Sequence, residues 1–333
     1  MTTQERLIGW QHAFDEPVVL AVTVAVVAVL ALTPLLVWLL SKAGKVDETH
    51  RRELMLRYYS WLVITPLLLV PILLGALWTI LGVGILSLFC YREYARATGL
   101  FREKLISLVV TLAIVAVTFT VLDHWQGLFA ALTPYTVALI ASVAILKDQP
   151  EGYIQRVALG IFAFALFGTG LGHLGFLAND AGYRGYIVLL LLSVELNDVF
   201  AYISGKTMGR SKLAPQTSPN KTKGGALGAV VLTTALVVCV GHFVFAGTAL
   251  QHPAHLIVLG ILLSVAGQLG DLMLSSIKRD LGVKDLGVTI PGHGGLLDRF
   301  DSLLLAAPVF FHYINYFVGV GVEQTPRILT GSL

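Results

Sequence analysis

Residues 17–40 read PVVLAVTVAVVAVLALTPLLVWLL, a run of 24 positions without a charged side chain. A helix of about 20 apolar residues crosses a hydrocarbon core about 30 Å thick, so this run predicts a membrane span. It is too long for the apolar core of a signal peptide, and no small-residue cleavage site follows it. Pro34 lies within the run, and a packed helix bundle tolerates the kink that it introduces.

Apolar runs of this length recur along the whole chain of 333 residues. Of these residues, 56% are hydrophobic and 13% are charged, whereas soluble domains carry about 25% charged residues. This composition excludes a soluble enzyme, a disordered chain and a secreted disulfide scaffold. Cys90 and Cys239 both lie in apolar runs, so neither a disulfide framework nor a Cys-rich metal site is expected. The net charge of +3 is too small to imply a nucleic-acid partner.

The runs predict an all-α polytopic membrane protein with about ten transmembrane helices. Residues 61–94 are long for one crossing and short for two, so nine is the alternative count. Pro66, Pro71 and Gly75 supply break points that favour two helices, near 61–74 and 76–94. The other spans are predicted near 105–122, 128–146, 154–177, 185–205, 225–247, 255–277 and 302–321.

The basic residues fall almost entirely on one side of this predicted topology. The side reached after the first helix receives 20 of the 23 Lys and Arg residues. Cytoplasmic segments carry an excess of positive charge, so that side is predicted to be cytoplasmic and both termini non-cytoplasmic. Residues 44–59, on the same side, predict either an amphipathic helix on the inner leaflet or an ordinary connecting helix. We expect a multi-pass protein of the inner membrane, with N-terminal helices in 1–180 and a catalytic region in 181–333.

Two segments on the predicted cytoplasmic side, residues 197–225 and 270–302, hold most of the unusual polar residues. Glu195, just before the first segment, and Asp198, at its start, follow a long apolar stretch, and Asp271 does the same at the start of the second. A carboxylate at such depth is unfavourable unless it is paired, metal-bound or hydrated. We interpret Glu195 as a structural partner.

One helical face is predicted to lead from the membrane to its cytoplasmic edge. Asp271, Ser275 and Lys278 are spaced i, i+4 and i+7, so they share that face. The alternative interpretation is a salt bridge at the helix end between Asp271 and Lys278.

Residues 293–301 read HGGLLDRFD and are the third polar feature. Gly294 and Gly295 permit close approach of the backbone to a ligand. Asp298 and Asp301 are spaced i, i+3 and face one site on a helical turn. Paired carboxylates with few soft ligands suit Mg²⁺, which prefers oxygen and acts with phosphates. The alternative is that Asp301 or Ser302 caps the last span.

Cations accompany these acids. They are Lys278, Arg279, Lys284 and Arg299, with Lys221 in the first polar segment. Arg and Lys beside metal-binding acids indicate a phosphate substrate. The positive-inside rule alone would explain the cations but not the aspartates. His293, flanked by glycine, is interpreted as a ligand contact.

Residues 275–301 resemble the signature of the phosphatidate cytidylyltransferase family, also called CDP-diacylglycerol synthases. The signature reads S-x-hydrophobic-K-R, four residues, K-D, a spacer, and H-G-G-x-x-D-R-x-D. Asn197-Asp198, Ala201-Tyr202, Ser218-Pro219-x-Lys221-Thr222 and Gly270-Asp271-Leu272 resemble the family as well. The chain departs from the family at Gly224, where an acidic Glu is common. The fixed positions of the signature are occupied by Ser275, Ile277, Lys278, Arg279, Lys284, Asp285, His293, Gly294, Gly295, Asp298, Arg299 and Asp301.

This resemblance implies an enzyme of phospholipid biosynthesis that converts CTP and phosphatidate to CDP-diacylglycerol and pyrophosphate. It implies Mg²⁺ as the cofactor and is compatible with a second metal ion. It is also compatible with membrane lipids as partners and with a homo-oligomer. The implied metal ligands are Asp271, Asp298, Asp301 and Asp198. The implied catalytic residues are Asp271, Lys278, Arg279, Asp298, Arg299 and Asp301. The implied substrate-binding residues are Ser218, Lys221, Thr222, Ser275, Lys284, Asp285, His293, Gly294 and Gly295.

Three alternatives remain open from the sequence. Another CTP-using membrane enzyme, of the polyprenol kinase or CDP-archaeol synthase type, would keep the metal chemistry and change the acceptor. A transporter would use the intramembrane acids as an ion path, but no inverted repeat is visible. An inactive relative with a scaffold role is suggested by Gly224 alone.

Overall fold

The computed structural model describes residues 2–287 and 294–331. Within these residues the chain is helical except for turns and one antiparallel hairpin of two short strands. The helices are α1 Thr3–Ile8, α2 Pro17–Lys42, α3 Glu48–Leu74, α4 Ala76–Ala97, α5 Lys104–Leu122, α6 Gln126–Ile145, α7 Tyr153–Ala163, α8 Leu171–Leu177, α9 Tyr183–Met208, α10 Lys223–Val244, α11 Pro253–Asp280 and α12 Leu303–Phe317. A π-helical turn, Phe164–Gly170, joins α7 to α8, and strands β1 Lys212–Ala214 and β2 Ser218–Thr222 lie between α9 and α10.

The helices long and apolar enough to cross a membrane number nine in the part of the chain that the structure describes. One of them is the continuous stretch from α7 through the π-helical turn to α8. The shorter α12, with 15 residues, is the tenth apolar helix. The ten predicted spans therefore correspond to nine long helices and one short one, and the polytopic all-α fold is confirmed.

Gly75 is the break that divides residues 61–94 into two helices. Its φ of 142° lies in the region that favours glycine. A Cβ at this position would lie 2.4 Å from the carbonyl oxygen of Leu7, so the N-terminal segment packs directly against the break. Pro66 and Pro71, the other predicted break points, lie inside α3, which continues through them.

Residues 48–59 form the first turns of α3 rather than a separate helix. The side chain of Asp47 accepts a hydrogen bond from the backbone N–H of His50 (2.7 Å) and so caps the helix. With 27 residues, α3 is about 40 Å long, which exceeds the hydrocarbon thickness. Its charged N-terminal part is thus an extension of the span, in agreement with the connecting-helix interpretation.

Both described termini lie at the same end of the bundle. Arg6 Nη1 donates to Asn179 Oδ1 (3.0 Å), just after α8 ends. At the other terminus, the backbone N–H of Leu329 donates to Asp123 Oδ1 (2.6 Å), just after α5 ends. Because α9 begins at this end and runs away from it, the segments that follow α9 and α11 lie at the opposite end.

The helices α9, α10, α11 and α12 pack together and carry the polar segments. One cluster of buried apolar side chains extends from Ile72 in α3 to Ile314 in α12. The two predicted regions, 1–180 and 181–333, therefore share packing, and their division stays a prediction. α2 lies at the periphery of the bundle, as shown by the burial of only 6% of its most apolar 18 residues.

Candidate active site

A cavity of about 270 Å³ lies where α9 and α11 approach the loop that precedes α12. α9 contributes Asp198, α11 contributes Asp271 and Lys278, and the loop contributes Asp298 and Asp301. Residues far apart in sequence therefore converge on one cavity. Its lining among the described residues is Val194, Glu195, Asp198, Asp271, Lys278, Asp285, Asp298, Arg299, Asp301 and Ser302.

Gly270 allows the loop to reach α11. A Cβ at this position would lie 2.6 Å from the carbonyl oxygen of Asp301 and 3.1 Å from Cα of Ser302. Any side chain here would push the loop away from the helix. Because Gly270 has no side chain, Asp301 packs next to this position and hence close to Asp271, the residue that follows Gly270.

Asp271 has two partners. Ser275 Oγ donates to its Oδ1 (3.1 Å), as expected for residues one helical turn apart. Its Oδ2 forms an ion pair with Nζ of Lys221, which comes from β2. The alternative pair of Asp271 with Lys278 is not formed, because the Lys278 ammonium lies 3.0 Å from Asp298 Oδ1.

Asp298 organises the loop in which it lies. Its Oδ2 accepts hydrogen bonds from the backbone N–H groups of Gly295 (3.0 Å) and Leu286 (3.1 Å). With Lys278 on Oδ1, three of the roughly four acceptor positions of this carboxylate are occupied. Gly294, whose φ is 82°, lies against it, since a Cβ there would be 3.2 Å from Asp298 Oδ2.

Asp301 is the most enclosed of the loop acids, with 8% of its surface exposed. Its Oδ1 accepts a hydrogen bond from the backbone N–H of Ser302 (2.7 Å). Burial, together with the charges of Asp271 and Asp198, raises the pKa of the Asp301 carboxyl well above its usual range. Ser302 precedes α12 but makes no side-chain capping bond, so the capping alternative for Ser302 is not observed.

The charge of the cavity bears on whether it fits a divalent cation. Six of its described lining residues are acidic and two are basic. Such a surface repels a triphosphate unless cations bind first, and carboxylate oxygens are the ligands that Mg²⁺ prefers. Among residues 2–287 and 294–331, no three His, Cys, Asp or Glu side chains already surround one point closely enough to hold an ion. The donor chemistry fits Mg²⁺, while Lys221 and Lys278 now neutralise two of the acids.

Several predicted substrate-binding or catalytic residues lie outside the cavity lining. Arg279 Nε donates to the carbonyl oxygen of Thr217 (3.2 Å), which ties α11 to the β-hairpin. Thr222 caps α10 by accepting from the backbone N–H of Gly225 (3.0 Å). Ser218 lies in β2, and Lys284 is exposed in the loop after α11. His293 lies outside the described residues.

Packing explains why this chain has Gly224 where a Glu is common in the family. A Cβ at this position would lie 2.7 Å from the carbonyl oxygen of Met208, the last residue of α9. The larger Glu that is common in the family would require α9 and α10 to separate here. This chain therefore joins the two helices more closely at that point.

Glu93, in α4, is a residue of the site region that the sequence did not single out. Its Oε1 accepts from the backbone N–H of Leu296 (3.0 Å), and its Oε2 accepts from that of Leu297 (2.8 Å). The side chain is in the N-terminal half of the chain and 7% of the residue is exposed. The available signal was a carboxylate near the end of an apolar run, without motif context.

Comparisons with known proteins agree with the geometry. Residues 55–317 match the model of the cytidylyltransferase family. The chain is 30% identical to the uncharacterized protein YnbB of Escherichia coli over 278 residues, which cover 82% of this chain and 91% of that protein. It is 34% identical to a phosphatidate cytidylyltransferase of Staphylococcus haemolyticus over 251 residues, with coverage of 74% and 94%. A phosphatidate cytidylyltransferase of Staphylococcus saprophyticus is 39% identical over 176 residues, with coverage of 52% and 66%.

Proposed function

The chain belongs to the cytidylyltransferase family, and on that basis we propose that it transfers the cytidylyl group of CTP to phosphatidate. The products are CDP-diacylglycerol and pyrophosphate, which places the reaction in phospholipid biosynthesis. The single observation that carries this proposal beyond family membership is the convergence of five signature residues on one cavity with Asp198 and Asp271. The five are Lys278, Asp285, Asp298, Arg299 and Asp301. The acids and cations of the cavity are those that a reaction between two phosphate-bearing substrates requires.

In this reaction an oxygen of the phosphatidate phosphate forms a bond to the α-phosphorus of CTP. The bond from that phosphorus to the β-phosphate oxygen breaks, and pyrophosphate leaves with the electron pair. The nucleophile is already anionic, so no strong general base is needed. The difficulty is to bring two anions together, and that is a task for positive charge.

The cations of this chain would hold the phosphate groups. Lys278 and Arg299 line the cavity, and Lys221 reaches it through Asp271. Each would contact a phosphate oxygen and stabilise charge that accumulates on the leaving pyrophosphate. Asp298 keeps Lys278 in position and shapes the loop backbone around it.

Asp198, Asp271 and Asp301, with the remaining acceptor position of Asp298, would hold Mg²⁺. When bound, Mg²⁺ would screen the charge of the triphosphate and polarise the reacting phosphate. The excess of acidic over basic lining residues supports this assignment. A second metal ion is compatible with the number of carboxylates.

We assign the cavity end of the bundle to the cytoplasm of a bacterial inner membrane. Most Lys and Arg residues belong to segments at that end, and CTP is a cytosolic substrate. Arg6 and Arg184, two of the few remaining cations, form hydrogen bonds at the opposite end. Both termini would then be non-cytoplasmic.

The test uses purified protein with Mg²⁺, CTP labelled at the α-phosphate, and phosphatidate in mixed micelles. The expected result is label in a lipid product with one pyrophosphate released for each lipid formed. Asp271→Asn should lose this transfer, while Asp280→Asn, an exposed carboxylate at the end of the same helix, should retain it. Absence of labelled lipid from well-folded wild-type protein would overturn the proposal.

The same assay separates the two alternatives of this class that the sequence left open, an enzyme of the polyprenol kinase type and one of the CDP-archaeol synthase type. Label at the γ-phosphate distinguishes the kinase, because phosphoryl transfer releases CDP instead of pyrophosphate. An archaeol-type acceptor would still release pyrophosphate and is distinguished by the labelled lipid.

A further inference from the structure

Among the described residues of the signature loop, Glu93 forms hydrogen bonds with backbone groups. Its two carboxylate oxygens accept hydrogen bonds from consecutive N–H groups, those of Leu296 (3.0 Å) and Leu297 (2.8 Å). Because Leu296 and Leu297 directly precede Asp298, the carboxylate sets the direction in which the chain enters the acidic part of the loop. A bond between a carboxylate and a backbone N–H is stronger than one between neutral groups.

Two glycines allow Glu93 to reach this position. A Cβ at Gly287 would lie 2.5 Å from Glu93 Oε1, and a Cβ at Gly295 would lie 2.5 Å from Glu93 Oε2. A Cβ at Gly295 would also lie 2.9 Å from the backbone nitrogen of Gly287, so the two glycines are neighbours beside the carboxylate. The absence of side chains at both positions leaves room for Glu93 to contact the backbone directly.

A second carboxylate holds the same backbone. Asp298 accepts hydrogen bonds from the N–H of Leu286, the residue before Gly287, and from the N–H of Gly295 itself. Glu93 belongs to α4, which supplies none of the described residues that line the cavity. Its place in the site is therefore indirect, through the loop.

We propose that Glu93 is a positioning residue for cytidylyl transfer. It fixes the loop backbone so that Asp298, Arg299 and Asp301 face the cavity, and it does so from the N-terminal half of the chain. The expected effect of Glu93 on the rate of transfer rests on the proposed function. Its expected effect on the structure of the loop does not. Glu93→Gln retains size and one acceptor oxygen, but it directs an amide NH₂ group at a backbone N–H.

The experiment compares wild type, Glu93→Gln and Glu103→Gln in detergent. Glu103 is the matched control, because its carboxylate pairs with Lys147 (2.8 Å) at the same end of the bundle and forms no hydrogen bond with the described residues of the loop. Hydrogen exchange is followed in peptides that cover residues 294–300 and, separately, α4 and α5. The rate of cytidylyl transfer is measured as a function of CTP concentration.

For Glu93→Gln we expect exchange in residues 294–300 to accelerate about tenfold, with exchange in α5 unchanged. We expect kcat to fall at least about tenfold and the KM for CTP to change less, because misplaced groups reduce the rate more than ground-state binding. Glu103→Gln should match wild type in both measurements. Unchanged loop exchange with unchanged kcat would overturn the proposal, as would a loss of protection spread evenly over all helices.

Gly287→Ala provides a second variant that keeps Glu93 itself. The added methyl group would displace the carboxylate, so it should accelerate exchange in the same peptide and lower kcat. Normal exchange and normal kcat in Gly287→Ala would also contradict the proposal. If wild type produces no labelled lipid, the proposed function fails, whereas the exchange measurement still decides the role of Glu93 in the loop.

Discussion

Lys221 and Asp271 form an ion pair that joins the two polar segments beside the cavity. Their side chains are 21% and 20% exposed, so the pair is accessible to ions and substrates. A cation that binds Asp271 competes with the Lys221 ammonium for the same oxygen. A metal ion bound at Asp271 would therefore release Lys221, whose ammonium would then be available to a phosphate group.

Replacement of Lys221 tests this competition. We expect Lys221→Gln to bind Mg²⁺ at a lower concentration than wild type, because Asp271 no longer has a competing partner. The measurement is the Mg²⁺ concentration that gives half of the maximal thermal stabilisation, without nucleotide. The KM for CTP should rise, since a phosphate contact is lost. A higher Mg²⁺ requirement in the variant would exclude the competition.

The pair of Lys278 and Asp298 is expected to stabilise the fold as well as the site. Their side chains are 14% and 6% exposed, so loss of one partner leaves a nearly buried group without compensation. Asp298→Asn should lower the free energy of unfolding by about 3 kcal/mol. The double variant Asp298→Asn, Lys278→Met should recover part of this free energy of unfolding. Neither the single nor the double variant should transfer the cytidylyl group. A double-mutant cycle from denaturant titrations in detergent measures the coupling, and strictly additive effects would contradict it.

Two glycines of α11 predict opposite outcomes for the same substitution. Gly270→Ala would place a methyl group 2.6 Å from the carbonyl oxygen of Asp301, and transfer should fall at least about tenfold. At Gly267, one turn earlier, the nearest atoms lie at 3.8 Å. Gly267→Ala should therefore keep its activity and gain up to about 1 kcal/mol of stability. Equal activity in the two variants would show that Gly270 does not position Asp301.

Glu16, which precedes α2, predicts a pH dependence of stability. Burial raises the pKa of its carboxyl from 4.5 to about 7, against the opposing effect of Arg184. The folded protein then binds this proton more tightly than the unfolded chain, so stability declines as pH rises from about 4.5 to about 7. Glu16→Gln lacks this titration.

The stability of Glu16→Gln relative to wild type should therefore increase over that interval and stay constant above it. Thermal unfolding at half-unit steps of pH measures the difference. Asp15→Asn, at a neighbouring side chain that is 66% exposed, serves as the control. A difference between Glu16→Gln and wild type that does not change with pH would contradict the prediction.

Membrane orientation follows from labelling of single cysteines. Ala43 and Ala249 are exposed and lie after α2 and after α10, at opposite ends of the bundle. With Cys90 and Cys239 replaced by alanine, Ala249→Cys should react with an impermeant maleimide in right-side-out vesicles. Ala43→Cys should react only after the membrane is opened. The reverse pattern would place the cavity outside the cytoplasm.

Hydrophobic runs were sufficient to predict the helices, because a segment in the hydrocarbon must form hydrogen bonds among its own backbone N–H and C=O groups. The predicted span 105–122 corresponds to α5, Lys104–Leu122, and the break at Gly75 lies where a helix cannot continue without strain. The spacing of Asp271 and Ser275 likewise predicted neighbours on one helical face.

Contacts between distant segments could not be predicted in this way. The partner of Asp271 is Lys221 rather than Lys278, because β2 brings a second lysine to the cavity. Glu93 was missed because its hydrogen-bond partners among the described residues are backbone N–H groups, which have no signature in the sequence. The roles of Arg279 and Thr222 also depend on tertiary contacts, in the β-hairpin and at the start of α10.

The shortness of α12 bears on how a lipid would reach the cavity. Its 15 residues extend about 22 Å, less than the hydrocarbon thickness. α11 continues for about 15 Å beyond Gly270, the residue that contacts Asp301. The part of the cavity next to Asp301 is therefore recessed by about 15 Å from the end of α11, toward the membrane-spanning bundle. An acceptor with two acyl chains would react while its chains remain in the bilayer, and the extraction cost of about 0.8 kcal/mol for each methylene group would not arise.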